Sequence, residues 1–171
     1  MDIKEKKYKQ LITEHQDMIY RLCCSYINES DLRKDLFQNI LIRIWRGLNS
    51  FENRSSIKTW VYRISVNTCV DFLRREAGNK YISKHMDIND IEVTDRSGNL
   101  DEDLVFSEKI AFLYRCINKL TLIDKTVITL YLEDLSYKEI SVIVGISEKN
   151  VSVKLFRIKK KLNKYLREYE E

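Results

Sequence analysis

The chain of 171 residues contains no proline and only four glycines. Neither of the two residues that most often interrupt helices is abundant, so the chain is expected to be all-α. Its four cysteines, Cys23, Cys24, Cys69 and Cys116, form no CxxC pair and no Cys/His cluster. That spacing argues against a metal centre and for reduced thiols acting as small apolar residues. No apolar run reaches membrane-span length, and MDIKEKKYKQ lacks the apolar core of a signal peptide, so a soluble, cytoplasmic protein is expected. Also missing are a Ser/His/Asp set, paired carboxylates in a plausible cleft and a phosphate loop. No catalysis and no cofactor is therefore expected.

What is present is charge, unevenly placed. The net charge is +4. Residues 1–76 hold 14 Lys and Arg against 10 Asp and Glu; residues 77–103 hold 3 against 7; residues 104–171 hold 13 against 9. Two basic blocks thus flank an acidic spacer. Basic blocks can meet phosphate, whereas the spacer is repelled by it. The spacer shows no sustained periodicity and reads as a flexible linker between two small helical domains, 1–76 and 104–171.

The most informative stretch runs from Leu135 to Lys161. Ser136 followed by Glu139 makes a capping box, Gly145 supplies a turn, and Ser147 caps a second helix. In that second helix Val151, Leu155, Ile158 and Leu162 form one apolar stripe. The opposite face carries Lys149, Asn150, Val153, Phe156, Arg157, Lys160 and Lys164, with Ser152 and Lys154 beside it. Two apolar side chains on a basic outward face suit a major groove, where thymine methyls take apolar contact and Arg157 can pair with a guanine edge. The plainer alternative is a core helix buried on two sides. The helix-turn-helix reading predicts that Lys149, Asn150, Ser152, Val153, Lys154, Phe156, Arg157 and Lys160 meet DNA.

Upstream, three helices are expected, over residues 6–27, 31–49 and 57–75. His15 falls on the apolar side of the first, where a core or boundary place is the ordinary reading. The second has a wide apolar face and, outside it, Asp35, Gln38, Asn39, Ile42, Arg43 and Arg46. The loop FENRSS places Asn53, Arg54, Ser55 and Ser56 together. The third helix has apolar residues on two faces and a polar stripe of Thr59, Arg63, Asn67 and Arg74, with Asp71 at its edge. That stripe fits a solvated face or a nucleic-acid contact equally well. Later helices are expected over 104–119 and 122–133, the latter with Val127, Ile128, Leu130, Tyr131 and Leu132 as buried candidates.

Together these residues resemble the extracytoplasmic-function (ECF) sigma factors of bacterial RNA polymerase. Asp35-Leu36-Phe37-Gln38, then Leu41, Arg43 and Trp45, is similar to the family's D-L-[VF]-Q-E-x-F-L-x-x-W pattern. Phe51, Trp60 to Asn67, Asp71 and Arg74-Arg75 resemble its second block. Ser136 to Ser141, Gly145, Val151 and Arg157 resemble its closing helix-turn-helix. The resemblance implies a promoter-specificity subunit. The face of Asp35, Gln38, Asn39, Ile42 and Arg43 would dock on the clamp of the largest subunit of core polymerase. Asn53, Arg54, Ser55, Ser56, Tyr62, Arg63, Asn67 and Arg74 would bind the −10 element, the loop cradling a flipped base. Trp60 would be mainly core. The helix-turn-helix would read the −35 element. An anti-sigma factor would be a further partner, and the uncomplexed protein a monomer. Three positions depart from the pattern: Asn39 replaces an acid, Thr121 stands where proline often follows leucine, and Lys149-Asn150 replaces Gly-Thr. The rival binding reading is an autonomous, dimeric helix-turn-helix regulator of palindromic sites. An enzyme rival, a helical nucleic-acid-modifying protein using Asp or Cys, finds no site in the sequence.

Overall fold

The computed structural model describes residues 3–80 and 108–170. Among these residues all regular structure is helical: α1 (Ile3–Tyr26), α2 (Ser30–Gly47), a short 3-10 turn (Leu48–Ser50), α3 (Ile57–Lys80), α4 (Glu108–Asn118), α5 (Leu122–Leu132), α6 (Tyr137–Val144) and α7 (Glu148–Glu170). The chain divides into two compact units, Met1–Cys24 with Asp31–Ser83, and Ser25–Ser30 with Lys84–Glu171. Helix α3 reaches four residues into the stretch expected to be linker (77–103), and residues 81–107 lie outside those described.

In the first unit, α1 and α2 meet through aromatic side chains. The Tyr8 hydroxyl donates to the Leu41 carbonyl at 3.2 Å, and its ring stands edge-on to Trp45 with centroids 5.1 Å apart. Tyr20 and Phe37 repeat the arrangement at 6.0 Å. Leu22, Leu36, Ile40, Ile44, Val61 and Tyr62 are shut from solvent and form the core. Arg33 is buried too, donating to Cys24 Sγ at 3.4 Å and lying over the Tyr20 ring. Those contacts offset part of the cost of taking the charge out of water. Burial pushes the Cys24 thiol pKa up. Gly47 ends α2 where Trp60 presses closest: a Cβ there would stand 3.1 Å from Trp60 Cζ2. Trp60 is half-buried and packs on Phe51 at 5.1 Å.

The second unit packs three short helices, α4 to α6, with the 23-residue α7. Thr121 caps α5 by accepting from the Asp124 backbone N–H, although its position often holds proline in the resembled pattern. Lys125 is fully buried, and its ammonium donates to Asn118 Oδ1 at 2.9 Å. Ser136 and Glu139 form the complete capping box at the start of α6: Ser136 Oγ accepts from the Glu139 N–H, and Glu139 Oε2 accepts from the Ser136 N–H at 2.9 Å. Gly145 closes α6 at φ 77°, a left-handed conformation that costs glycine little. Ser147 then caps α7, accepting from the Asn150 N–H at 3.2 Å. One expectation fails here: Leu132, read as buried, is half exposed at the end of α5, and Tyr131 is only half-buried. Thr129 and Leu130 of the same turn are buried, so Leu132 lies on the outward side of α5.

Candidate nucleic-acid interface

The caps at Ser136, Gly145 and Ser147 set the angle between α6 and α7, and the apolar stripe of α7 sets its rotation. Val151, Leu155, Ile158 and Leu162 are buried beneath α7. The other side of the same helix is therefore presented outward. Lys149, Asn150, Ser152, Val153, Phe156, Arg157 and Lys160 are all exposed. Phe156 keeps 65% of its surface in solvent and Val153 keeps 41%. Exposing a phenylalanine costs hydrophobic free energy that burial would recover, about 25 cal/mol per Å² of apolar surface. An exposed apolar pair ringed by cations is the composition of a surface that waits for a ligand. The Lys160 ammonium lies 5.5 Å from the Phe156 ring centroid, so the apolar and cationic elements form one patch.

Lys154, expected among these contacts, is placed differently. It sits half-buried at the edge of the face, and its Nζ lies 2.9 Å from Asp124 Oδ1 on α5. It acts as an internal ion-pair partner rather than an outward cation.

In the first unit the sequence-predicted residues fall into three places. On α2, Asp35, Gln38, Ile42 and Arg46 are exposed and Asn39 is half-buried. Their spacing of three and four residues puts them in one strip. Arg43, expected on that strip, is tied to α3 by an ion pair to Asp71, Nη1 to Oδ2 at 2.7 Å. In the loop, Asn53 takes a left-handed conformation at φ 55°, which asparagine tolerates better than most residues. Arg54 pairs with Glu52 at 2.6 Å, well exposed. Ser56 has a duty that sequence reading did not assign. Its Oγ accepts from the Thr59 N–H at 3.0 Å and so caps α3.

Helix α3 itself is enclosed on most sides. Tyr62, expected to touch DNA, is fully buried and belongs to the core. Thr59 is buried as well, with its hydroxyl 2.8 Å from Ser56 Oγ. Arg63, Asn67, Arg74 and Arg75 are the exposed positions of residues 57–76 of this helix. Of the predicted polar stripe, Arg63, Asn67 and Arg74 thus come together on one narrow line.

Other chemistry finds little footing. No group of three His, Cys, Asp or Glu side chains among the described residues could hold a metal ion. No helix among the described residues is long and apolar enough to cross a membrane. His15 is half-buried with its Nε2 buried and unbonded, and burial lowers its pKa. It is a boundary residue of α1.

Two family models match in order along the chain. Sigma-70 region 2 covers residues 11–78, and Sigma-70, region 4, covers residues 113–162. The chain is 31% identical over 147 residues to the RNA polymerase sigma factor SigV of Bacillus subtilis (strain 168), covering 85% of this chain and 82% of that protein. The chain belongs to the ECF sigma factors of bacterial RNA polymerase. It is also 30% identical over 166 residues to the ECF RNA polymerase sigma-E factor of Escherichia coli (strain K12), covering 93% and 86% of the two chains. Its fold is similar to that of the sigma factor RpoE crystallised with the anti-sigma factor NepR from Bartonella quintana. That match has a TM-score of 0.77 at 21% identity and covers 95% of this chain and 98% of the other. CnrH, solved with the cytosolic domain of CnrY, gives a TM-score of 0.67 at 20% identity, covering 95% and 88%. As a sigma factor, the chain carries α1 to α3 in its region 2 match and the helix-turn-helix in its region 4 match. The autonomous-regulator reading is not favoured, because a dimeric operator-binding protein has no reason to contain a region 2.

Proposed function

We infer that this sigma factor confers start-site choice on core polymerase through two separate grips on DNA. The second unit lays α7 into the major groove of a duplex −35 element. Asn150, Val153, Phe156 and Arg157 meet base edges, while Lys149, Ser152 and Lys160 meet phosphate or the groove wall. The observation that carries this reading is the exposure of Phe156 and Val153 on a basic face whose opposite side is fully packed. The first unit holds the −10 element. Arg63 and Arg74 suit phosphates, and Asn67, Asn53, Arg54 and Ser55 suit an unstacked base at the loop. Capturing a flipped base offsets an unstacking cost of a few kcal/mol. Tyr62 is left out of this set on account of its burial, and Ser56 contributes as the cap that shapes the loop.

The exposed strip of Asp35, Gln38, Ile42 and Arg46 on α2 is the surface offered to the polymerase clamp. Arg43 supports it from below through Asp71. An isolated, exposed isoleucine amid polar residues suits a contact whose centre is apolar and whose rim is charged. The sigma factor acts in the cytoplasm, where its polymerase works, and is a monomer when it is in no complex. An anti-sigma factor is its natural restraint, since RpoE, similar in fold, was crystallised with the anti-sigma factor NepR. The chain supplies recognition and the polymerase supplies the chemistry.

The docking half is tested by Asp35→Ala combined with Gln38→Ala in the full chain. Co-purification with core polymerase should fall, while circular dichroism and the melting temperature stay as in the parent. Undiminished co-purification would move the docking surface elsewhere.

A further inference from the structure

Asp124 stands in the first turn of α5, where it receives a favourable helix-terminus field, and its side chain is only 14% exposed. Both of its carboxylate oxygens face α7. Oδ1 lies 2.9 Å from Lys154 Nζ, and Oδ2 lies 4.0 Å from Lys161 Nζ. Lys154 and Lys161 are seven positions apart, two helical turns, so they project from one side of α7. Arg157 lies between them, three residues after the first and four before the second, at the adjoining edge of the outward face. The carboxylate thus pairs with Lys154, while Lys161, 55% exposed, stands at the limit of its reach, and the two lysines flank the arginine.

We propose that Asp124 is a specificity-determining residue that withholds Lys154 from DNA phosphates, draws Lys161 back more weakly, and leaves Arg157 as the discriminating cation at that edge. The proposal rests on the reading of α7 as the helix that meets duplex DNA. A lysine that reaches phosphate contributes affinity without regard to sequence, through release of condensed counterions. A lysine already neutralised by an internal carboxylate releases none. Two mobile cations beside Arg157 would let α7 settle on any duplex. Their restraint narrows the favourable contacts to a register in which Arg157 and its neighbours meet matching bases.

The test uses the full chain assembled with core polymerase and compares a promoter duplex with the same duplex carrying a scrambled −35 segment. Asp124→Asn keeps the size of the side chain and removes its charge. The expected result is tighter binding to the scrambled duplex with a steeper salt dependence. The slope of log affinity against log salt should grow by about 1, the single positive charge that Asp124 no longer offsets. Discrimination between the two duplexes should fall by about tenfold at low salt. The triple variant Asp124→Asn, Lys154→Met, Lys161→Met should return the slope to the parent value, an outcome that a mere α5–α7 brace would not give. If Asp124→Asn instead weakens binding to both duplexes with an unchanged slope, Asp124 is a structural brace and the proposal is overturned. The same holds if the triple variant keeps the steep slope. Arg157→Ala, measured alongside, separates the two levels: intact discrimination in that variant removes α7 from the DNA, whatever Asp124 does.

Discussion

Helices α7 and α3 are nearly equal in length, at 23 and 24 residues, and both carry the arginines assigned to DNA, yet they are built in opposite ways. In α7 a single apolar stripe is buried and, Lys154 at its edge aside, the outward face from Lys149 to Lys160 is open. Helix α3 is buried around most of its circumference, with Val61, Tyr62, Val66, Cys69, Val70 and Phe72 all inside. Its outward chemistry is confined to the line of Arg63, Asn67 and Arg74. An open helix can enter a groove and read several adjacent base edges. An enclosed helix can offer only a rail along which a strand lies. The contrast fits the two tasks assigned to the chain, reading paired bases at one site and holding separated ones at another.

The contrast can be broken or sharpened by substitution. The largest effect is expected from Leu155→Ala, which empties the centre of the buried stripe of α7. A loss of about 2–5 kcal/mol is expected, read as an early thermal transition of the second unit. A melting curve like the parent's would mean that α7 is not held by this stripe. Next is Arg157→Ala, on the open side of the same helix. It should leave stability within about 0.5 kcal/mol and remove about 1–3 kcal/mol of promoter discrimination. Initiation that still prefers its own promoter over mismatched ones would take the reading role from this face. Ser136→Ala removes one half of the capping box and should cost about 0.5–2 kcal/mol in chemical denaturation. A neutral result would show that the turn geometry is held by Gly145 and the core alone. The smallest effect belongs to the first unit and to pH. Burial holds the His15 pKa below its ordinary value near 6.5, so the unfolded chain takes up a proton more readily than the folded one. That contribution to stability is present above pH 6.5 and declines as pH falls below it. His15→Gln should flatten the decline, and an unchanged pH profile would place the titration elsewhere.

The same contrast explains what was legible in the sequence. The caps at Ser136 and Ser147, the turn at Gly145 and the stripe from Val151 to Leu162 are local patterns, each complete within a few residues. They led to the structure of α7 and its outward face without tertiary knowledge. Helix α3 announced apolar residues on two faces, and nothing local showed which aromatic would be enclosed; Tyr62 proved to be core. The ion pairs were equally hidden. Arg43 finds Asp71 at 28 residues' separation, and Lys154 finds Asp124 at 30, distances over which sequence patterns carry no geometric signal. Both pairings tie an expected outward cation to a neighbouring helix. Ser56 is legible in retrospect, because a serine immediately before Ile57, the first apolar residue of α3, is a helix-capping signature. Its place among the other polar residues of the loop masks that signal.

The most direct measurement is transcription by core polymerase reconstituted with this chain on a genomic template, with all start sites mapped. The account predicts a limited set of new starts that share one upstream duplex element and one element at the melting point, with the shared upstream element lost from the set when Arg157→Ala replaces the parent. Starts indistinguishable from those of core polymerase alone would contradict it.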